Sequence, residues 1–323
     1  LQNAVEILNA LERICRQEND LMNLSMALGL KANILIGQRK YEQAMGLHKE
    51  YESLCRLLRN QSGLAAGLGS QGTILYQLGK EDESLILHQA QERISRQEND
   101  FYNLYHSLGN QALIKKRWGN LEEAMRLVKE QEQICQKLGS IDCLIYSIRI
   151  QAEIAIEMGQ VDKAMDLLVE AEQLSNQILS LHNLEIILWF QGNLLSESNQ
   201  DEASLFKYQQ QELISRQISN PESLSGSLTK QALIHKKRGE FDQALELLNQ
   251  AAQLSIENNL NKWLAWIYGI QGDIHMLEKD TETALNKFKQ QERICRELRD
   301  NDNLSYSLGT QASILKSTGD LDR

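Results

Sequence analysis

The chain has 323 residues, a net charge of −10, 42% hydrophobic residues, 6% aromatic residues and a single proline. This length exceeds one ordinary compact core, and the shortage of proline and aromatic residues favours helices over strands. The acidic balance makes nucleic-acid binding an unlikely function, because that function needs a basic face to replace counterions. No apolar run of about 18 residues indicates a membrane span, and no signal peptide is recognisable at the start. We therefore expect a cytoplasmic protein that does not contact a membrane.

A 40-residue period runs through the sequence without insertion or deletion. Stepping by 40 residues meets a small side chain each time, at Ala32, Gly72, Ala112, Ala152, Gly192, Ala232, Gly272 and Ala312. An unbroken leucine column accompanies it, at Leu24, Leu64, Leu104, Leu144, Leu184, Leu224, Leu264 and Leu304. A repeat array escapes the size limit of a single core because each unit packs only on its neighbours.

Each period contains two amphipathic helical patterns, which we call the first and the second helix of a repeat. In chain order the pattern predicts an unpaired second helix at 1–18. First helices follow near 22–37, 62–78, 102–118, 142–158, 182–197, 222–238, 262–277 and 302–318. Second helices follow near 41–58, 81–98, 121–138, 161–178, 201–218, 241–258 and 281–298. Residues 1–323 are thus predicted to be one array of about eight repeats. Because the pattern starts and stops within a repeat, we expect a window of a longer protein.

The turn between the two helices of a repeat is predicted to be left-handed. Its column contains Gly79, Gly119, Gly159, Gly239 and Gly319, with Arg39, Asn199 and Lys279 in the other copies. Pro221 after Asn220 predicts an N-cap followed by proline at the first helical position. A column of small residues should let each second helix approach closely; it contains Ala4, Ala44, Ser84, Ala124, Ala164, Ser204, Ala244 and Ala284.

Cysteine occupies one repeat position in four copies, Cys15, Cys55, Cys135 and Cys295, and serine fills that position elsewhere. This alternation predicts a small buried packing site. A disulfide between Cys135 and Cys143 is the less favoured alternative, because nothing indicates an oxidising compartment.

Two polar columns also repeat. One consists of glutamines on the core side of the first helices: Gln71, Gln111, Gln151, Gln191, Gln231, Gln271 and Gln311, with Lys31 in the first copy. Since a buried amide needs partners, we predict an amide ladder between neighbouring repeats; a row of ligand-reading amides is the alternative. The second column consists of i,i+4 pairs that support the surface of the second helices: Glu12–Arg16, Glu52–Arg56, Glu92–Arg96, Glu212–Arg216 and Glu292–Arg296.

Three segments identify the kind of repeat: LGSQGTILYQLGKEDES at 68–84, NQALIKKRWGNLEEA at 110–124 and QALIHKKRGEFDQAL at 231–245. They resemble the tetratricopeptide repeat, especially the long-helix variety of kinesin light chains and nephrocystin-type arrays. Leu108, Ala112, Gly119 and Ala124 match its large, small, turn and small positions. The glutamine column and the missing proline after the second helix depart from it. The resemblance implies an all-α, right-handed superhelical solenoid of antiparallel helix pairs, whose first helices line a concave groove for a partner's peptide, helix or domain.

Sequence signatures of catalysis are missing: the chain has no GxxxxGK[ST], GxSxG or HExxH. His48 and His88 share one column, and His235 and His275 share another. No third ligand recurs near either pair, so packing histidines are favoured over a metal site. We expect no enzyme within this window, no cofactor and no metal.

Residues that bind a partner should lie at positions where the repeats differ. Lys115, Lys116 and Arg117 are echoed by Lys236, Lys237 and Arg238, and these clusters are candidates to clamp an acidic or phosphorylated segment. The alternative is a solvated helix end, where cations favour the helix dipole.

Aromatic and apolar residues form the other candidate contact site in the implied groove. Its members are Tyr102, Tyr105, His106, Trp118, Tyr146, Ile150, Ile186, Trp189, Phe190, Trp266 and Ile270. Packing against a neighbouring turn of the superhelix is the alternative. The sequence thus predicts a protein-recognition module, the scaffold or sensor arm of a larger signalling protein. A purely architectural arm that associates with its own copies is the second possibility.

Overall fold

The computed structural model describes residues 2–318, and these form sixteen α-helices in succession. Their bounds are α1 Gln2–Glu18, α2 Leu21–Gly37, α3 Tyr41–Leu57, α4 Gln61–Gln77, α5 Glu81–Glu98, α6 Phe101–Arg117, α7 Leu121–Leu138, α8 Ile141–Glu157, α9 Val161–Gln177, α10 Leu181–Glu197, α11 Asp201–Gln217, α12 Pro221–Lys237, α13 Phe241–Glu257, α14 Asn261–Leu277, α15 Thr281–Leu298 and α16 Asn301–Thr318. The even-numbered helices are the predicted first helices. Each helix begins and ends within one residue of its predicted bounds, which confirms the all-α repeat pattern.

Left-handed residues end the helices at both turns of the repeat. The predicted column has φ between 56° and 78° at Arg39, Gly79, Gly119, Gly159, Asn199, Gly239 and Lys279, while Gly319 lies outside the described residues. A second column, after each second helix, has φ between 54° and 63° at Asn19, Arg59, Asn99, Gly139, Leu179, Ser219, Asn259 and Arg299. Because that column contains one glycine, the sequence marks it weakly although the backbone is the same.

Short polar side chains begin most of the first helices. Asp20, Asn60, Asp100, Ser140, Asn220 and Asp300 each accept a hydrogen bond from the backbone N–H three residues later. Such an N-cap satisfies one of the orphan donors of the helix and contributes about 1 kcal/mol. Pro221 occupies the first helical position of α12, as predicted.

The chain divides into two compact units, Leu1–Leu167 and Leu168–Arg323. From α1 to α8 in the first unit and from α10 to α16 in the second, each helix packs against the next one along the chain. First helices also contact each other, α2 with α4 and α4 with α6 in the first unit, α12 with α14 and α14 with α16 in the second. Each unit therefore presents a face built from successive first helices.

The small-residue column is matched in size to the side chain sixteen positions later. A Cβ atom added at Gly72 would lie 2.8 Å from His88, at Gly192 2.6 Å from Tyr208, and at Gly272 2.8 Å from Phe288. Where the later residue is aliphatic, as at Val128 and Leu248, the column holds alanine instead. Interiors are close-packed, so from the second repeat onwards the choice of glycine or alanine follows the volume of its neighbour; Ala32, which precedes the buried His48, is the exception.

The two polar columns form one network. The Nε2 atoms of Gln71, Gln111, Gln151, Gln191, Gln231 and Gln311 each donate to a glutamate on the preceding second helix, at 2.6–2.7 Å. Lys31 contacts Glu12 at 2.9 Å in the same way. The glutamines thus join neighbouring repeats, but the predicted ladder of amide on amide is wrong. A carboxylate on the adjacent helix is a stronger acceptor than another amide.

The same glutamates accept from the predicted i,i+4 arginines, at 2.5–2.9 Å in five copies. Gln271 shows the dependence on this partner, because Ala252 stands at the glutamate position there. Its amide donates to Asn249 instead, at 2.8 Å.

The cysteine column is buried at Cys15, Cys55, Cys135 and Cys295, which confirms the packing interpretation. Cys143 is half-buried, and all five thiols are free. Between residues 2 and 318 no helix is both long and apolar enough to cross a membrane.

Candidate functional site

The first basic cluster already has carboxylate partners within its own unit. Lys116 Nζ lies 2.7 Å from Glu153 and 3.2 Å from Glu157, and its side chain is only 17% exposed. Arg117 Nε lies 2.9 Å from Glu81. Burial of Lys116 acts to lower its pKa, but the two glutamates raise it above the usual value overall.

The second basic cluster repeats this arrangement. Lys236 Nζ lies 2.7 Å from Asp273, and Lys237 Nζ lies 2.9 Å from Asp201. Arg238 contacts Glu202 at 2.9 Å. In both clusters the cations therefore link neighbouring repeats, and their charge is largely compensated inside the chain.

Trp118 lies beside the first cluster at the end of α6. Its Nε1 donates to Glu81 at 2.5 Å, and Lys115 lies 5.3 Å from its ring centre. The ring is 43% exposed. Trp118 is therefore a partly exposed residue that links the end of α6 to Glu81 by a hydrogen bond.

In the first unit, the first helices line a polar cleft of about 250 Å³. Its lining comes mainly from α2, α4 and α6, with Gln91 from α5, and includes Asn33, Ser70, Thr73, Tyr102, His106 and Asn110. The rings of Tyr102 and His106 meet edge to face with centres 4.6 Å apart. Two residues predicted for the partner site, Tyr102 and His106, thus lie together on this surface.

In the second unit, tryptophans from two first helices cluster on the corresponding face. The ring centres of Trp189 and Trp263 are 6.0 Å apart, and those of Trp263 and Trp266 are 5.4 Å apart. Trp189 also packs on the buried Tyr208, at 5.9 Å. We call Trp189, Trp263 and Trp266 the tryptophan cluster. Such edge and tilted geometries are favourable for aromatic pairs.

An open cleft of about 250 Å³ adjoins the tryptophan cluster. Ile186, Trp189, Gly226 and Trp263 supply its apolar walls, and Gln211, Glu222 and Ser223 supply polar ones. A Cβ atom at Gly226 would lie 2.9 Å from the Trp263 ring and 3.4 Å from the Trp189 ring. Glycine is therefore the residue that lets both indoles close over α12.

Lys230 lies between two members of the tryptophan cluster, and the sequence analysis did not single it out. Its Nζ is 5.2 Å from the Trp189 ring centre and 5.5 Å from that of Trp266. A signal was available: Lys230 is the single cation in a column whose other members are Leu30, Ser70, Asn110, Ile150, Phe190, Ile270 and Thr310.

Three residues predicted to contact a partner are buried beneath the surface. Tyr105 is 7% exposed, Ile150 3% and Ile270 4%. They pack under the first-helix face and support it, so their assignment as contact residues is corrected. Tyr146, Ile186, Phe190 and Trp266 remain half-buried.

The histidine columns serve packing or local pairing. His48 and His88 are 2% and 1% exposed, and burial lowers the pKa of each to about 4. His235 Nδ1 lies 2.5 Å from Glu240. Within the described part of the chain, no group of three or more His, Cys, Asp or Glu residues is arranged to hold a metal ion.

Solved structures share this architecture. One is a signal transduction ATPase with numerous domains (STAND) from Pyrococcus horikoshii, a protein with a tetratricopeptide-repeat sensor. It aligns over 92% of this chain and 44% of its own, with a TM-score of 0.70 and 13% identity. The apo quorum sensor NprR from B. thuringiensis aligns over 99% of this chain and 94% of its own, with a TM-score of 0.69 and 13% identity.

A third similar structure, the Rap conjugation gene regulator of plasmid pLS20 in complex with the Phr* peptide, aligns over 95% of this chain and 79% of its own, at a TM-score of 0.60 and 13% identity. No protein-family model and no curated protein matches the sequence. The fold is that of a tetratricopeptide-repeat array, as the sequence predicted.

Proposed function

We propose that the chain is a peptide-recognition module whose binding surface is the first-helix face of the second unit. The observation behind this proposal is the tryptophan cluster with its open cleft. Three indoles on one face are a large amphipathic contact area, and tryptophan is among the residues that dominate binding energies. Elsewhere on the first helices, the equivalent positions include Gly29, Gly69, Ala66 and Gly109.

Similar structures support a protein or peptide ligand. One of them is a complex with a peptide, one is a quorum sensor and one has a repeat array described as a sensor. We therefore propose that this chain is the recognition or sensor arm of a signalling protein, that it has no catalytic role of its own and that it acts in the cytoplasm. The polar cleft of the first unit, with Tyr102 and His106, is a second contact region in this proposal.

A screen of random dodecapeptides displayed on phage, against the purified chain, tests the proposal. Binders are resynthesised and titrated by calorimetry. Three of the four tryptophans belong to the cluster, so binding should also change the intrinsic fluorescence. Trp266→Ala should weaken binding by about tenfold or more, the loss expected of an interface anchor.

Trp118→Ala is the matched control, since it removes the same side chain from the first unit. Its peptide affinity should stay within about twofold of the original value. If Trp266→Ala binds the peptides normally but unfolds at lower temperature, the cluster is a packing device and the proposed surface is wrong. Light scattering on the same sample reports whether the chain instead associates with its own copies.

A further inference from the structure

Lys230 differs from its neighbouring lysines in its electrostatic surroundings. Lys207 Nζ lies 3.0 Å from Glu172, and Lys236 Nζ lies 2.7 Å from Asp273. No carboxylate of the described residues forms an ion pair with Lys230; two indole faces surround its ammonium group instead. Aromatic faces attract a cation, yet they bear no net negative charge to neutralise it.

Burial adds to this difference. Desolvation lowers the pKa of Lys230 below its usual value, and the more distant Glu197 raises it in part. A half-buried ammonium ion interacts more strongly with a new anionic partner than an exposed one does, because the local dielectric is lower. Lys230 is therefore suited to an incoming negative group.

The cleft beside Lys230, in contrast, favours an apolar group over an acidic one. It is walled by Ile186, Gly226 and two indoles, and Glu222 at its margin disfavours an acidic occupant. Gly226 precedes Lys230 by four residues on α12, a rise of about 6 Å along a helix. An apolar position and a cationic position thus stand about one helical turn apart on the same face.

We propose that this site binds a peptide segment carrying an Asp or Glu side chain about 6 Å from an apolar side chain. The carboxylate pairs with Lys230 between Trp189 and Trp266, and the apolar side chain enters the cleft at Gly226. The proposal rests on the proposed function and names the chemistry of its ligand.

Spacing favours an acidic side chain over a terminal carboxylate. In an extended segment, side chains two residues apart lie about 6.6 Å from each other on one face. On a helix, residues four apart are separated by about 6 Å along the axis. A terminal carboxylate is bonded to the Cα of its own residue, so it reaches this separation only when the last side chain is long.

A double-mutant cycle tests the pairing. The probe is a display-selected dodecapeptide that contains an acidic residue, resynthesised with Glu→Gln or Asp→Asn at each acidic position in turn and, separately, with an amidated C-terminus. Each version is titrated against the original chain, Lys230→Met and Lys230→Arg. Methionine keeps an unbranched stem between the indoles, and arginine keeps the charge.

We expect one acidic-to-amide exchange to weaken binding to the original chain about tenfold and to have little effect on Lys230→Met. Lys230→Arg should retain the discrimination, and amidation should have little effect. Lys287→Met is the matched control: this lysine also contacts an aromatic ring, Tyr268 at 5.3 Å, but lies on the second helix α15. Its loss should leave the discrimination intact.

Separate results refute the two proposals. If peptides bind through Trp266 but every acidic-to-amide exchange lowers the affinity for Lys230→Met as much as for the original chain, the proposed pairing with Lys230 is wrong. The proposed recognition surface is then still supported. If amidation alone abolishes the dependence on Lys230, the ligand group is a terminal carboxylate and the proposal is wrong. If no selected peptide depends on Trp266, the recognition surface itself is wrong.

Discussion

Replacing Gly192 with alanine should destabilise the second unit, although alanine is the better helix former. The new Cβ atom would lie 2.6 Å from Cε1 and 2.9 Å from Cδ1 of Tyr208, and ordinary contact begins near 3.4 Å. Tyr208 is fully buried and its hydroxyl donates to Asn193 at 2.8 Å, so the ring cannot move aside freely.

The expected magnitude follows from two opposing contributions. Overpacking a core costs about 2–3 kcal/mol when the neighbour is constrained, and Gly→Ala inside a helix gains about 1 kcal/mol. The free energy of unfolding should therefore fall by about 1–2 kcal/mol. Gly309→Ala is the control, because nothing lies within 4 Å of its added Cβ; it should raise the stability by up to about 1 kcal/mol.

The assay is equilibrium urea unfolding at 25 °C, extended to a double-mutant cycle with Tyr208→Leu. The double variant recreates the pair that the chain itself uses at Ala232 and Leu248. Its loss should be smaller than the sum of the two single losses by about 1 kcal/mol or more. If Gly192→Ala is as stable as the original chain, or if the losses in free energy of unfolding of the two single variants simply add, glycine at this position is not matched to the size of Tyr208.

Three further predictions concern the polar network, the buried histidines and the second turn. Gln231→Leu should lower the free energy of unfolding by about 1 kcal/mol, because the Glu212 carboxylate loses one of its donors and keeps Arg216. Gln271→Leu, whose acceptor is a neutral amide, should cost less, and equal losses would contradict a special role for the carboxylate. His48 and His88 have folded pKa values near 4 against 6.5 when unfolded, so each stabilises fully above pH 6.5 and loses about 3 kcal/mol as the pH falls towards 4. Urea melts of the His48→Leu/His88→Leu variant between pH 7 and 4 should show a shallower decline than the original chain, and parallel declines would argue against buried neutral rings. Leu179→Gly should raise the free energy of unfolding by about 1 kcal/mol, because the φ of Leu179 is 55° and its side chain is 83% exposed; a lower thermal midpoint would refute this.

The ion pairs at the candidate site could not be predicted from the sequence. Lys116 and Lys236 were correctly placed on first helices, but their partners Glu153 and Asp273 come from the next repeat, 37 residues away. A pattern read along one helix cannot show whether a cation is compensated from a neighbouring helix. For the same reason the sequence does not reveal that Lys230 lies between two indole rings without an ion-paired carboxylate.

The hydrogen-bond acceptors of the glutamine column could not be predicted from the sequence either. Its period and burial follow from the sequence, because the column recurs on the core side of each first helix. The acceptor of Gln111 is Glu92, which had been assigned to a separate surface pair with Arg96. Two columns that appear independent in the sequence meet because α5 and α6 pack side by side.

The sequence by itself determined the helices, their turns and the all-α repeat architecture. It could do so because the period places leucine, a small residue and a turn residue at fixed positions in each copy, and local propensity and packing then agree. The tertiary structure alone decided which polar groups are compensated, which aromatic residues are buried and which cleft stays open. Those properties depend on side chains that neighbouring helices bring together from distant positions, α6 with α8 in the first unit and α10, α12 and α14 in the second. Tyr105 is buried and Trp189 lines a cleft for that reason, although both occupy predicted groove positions.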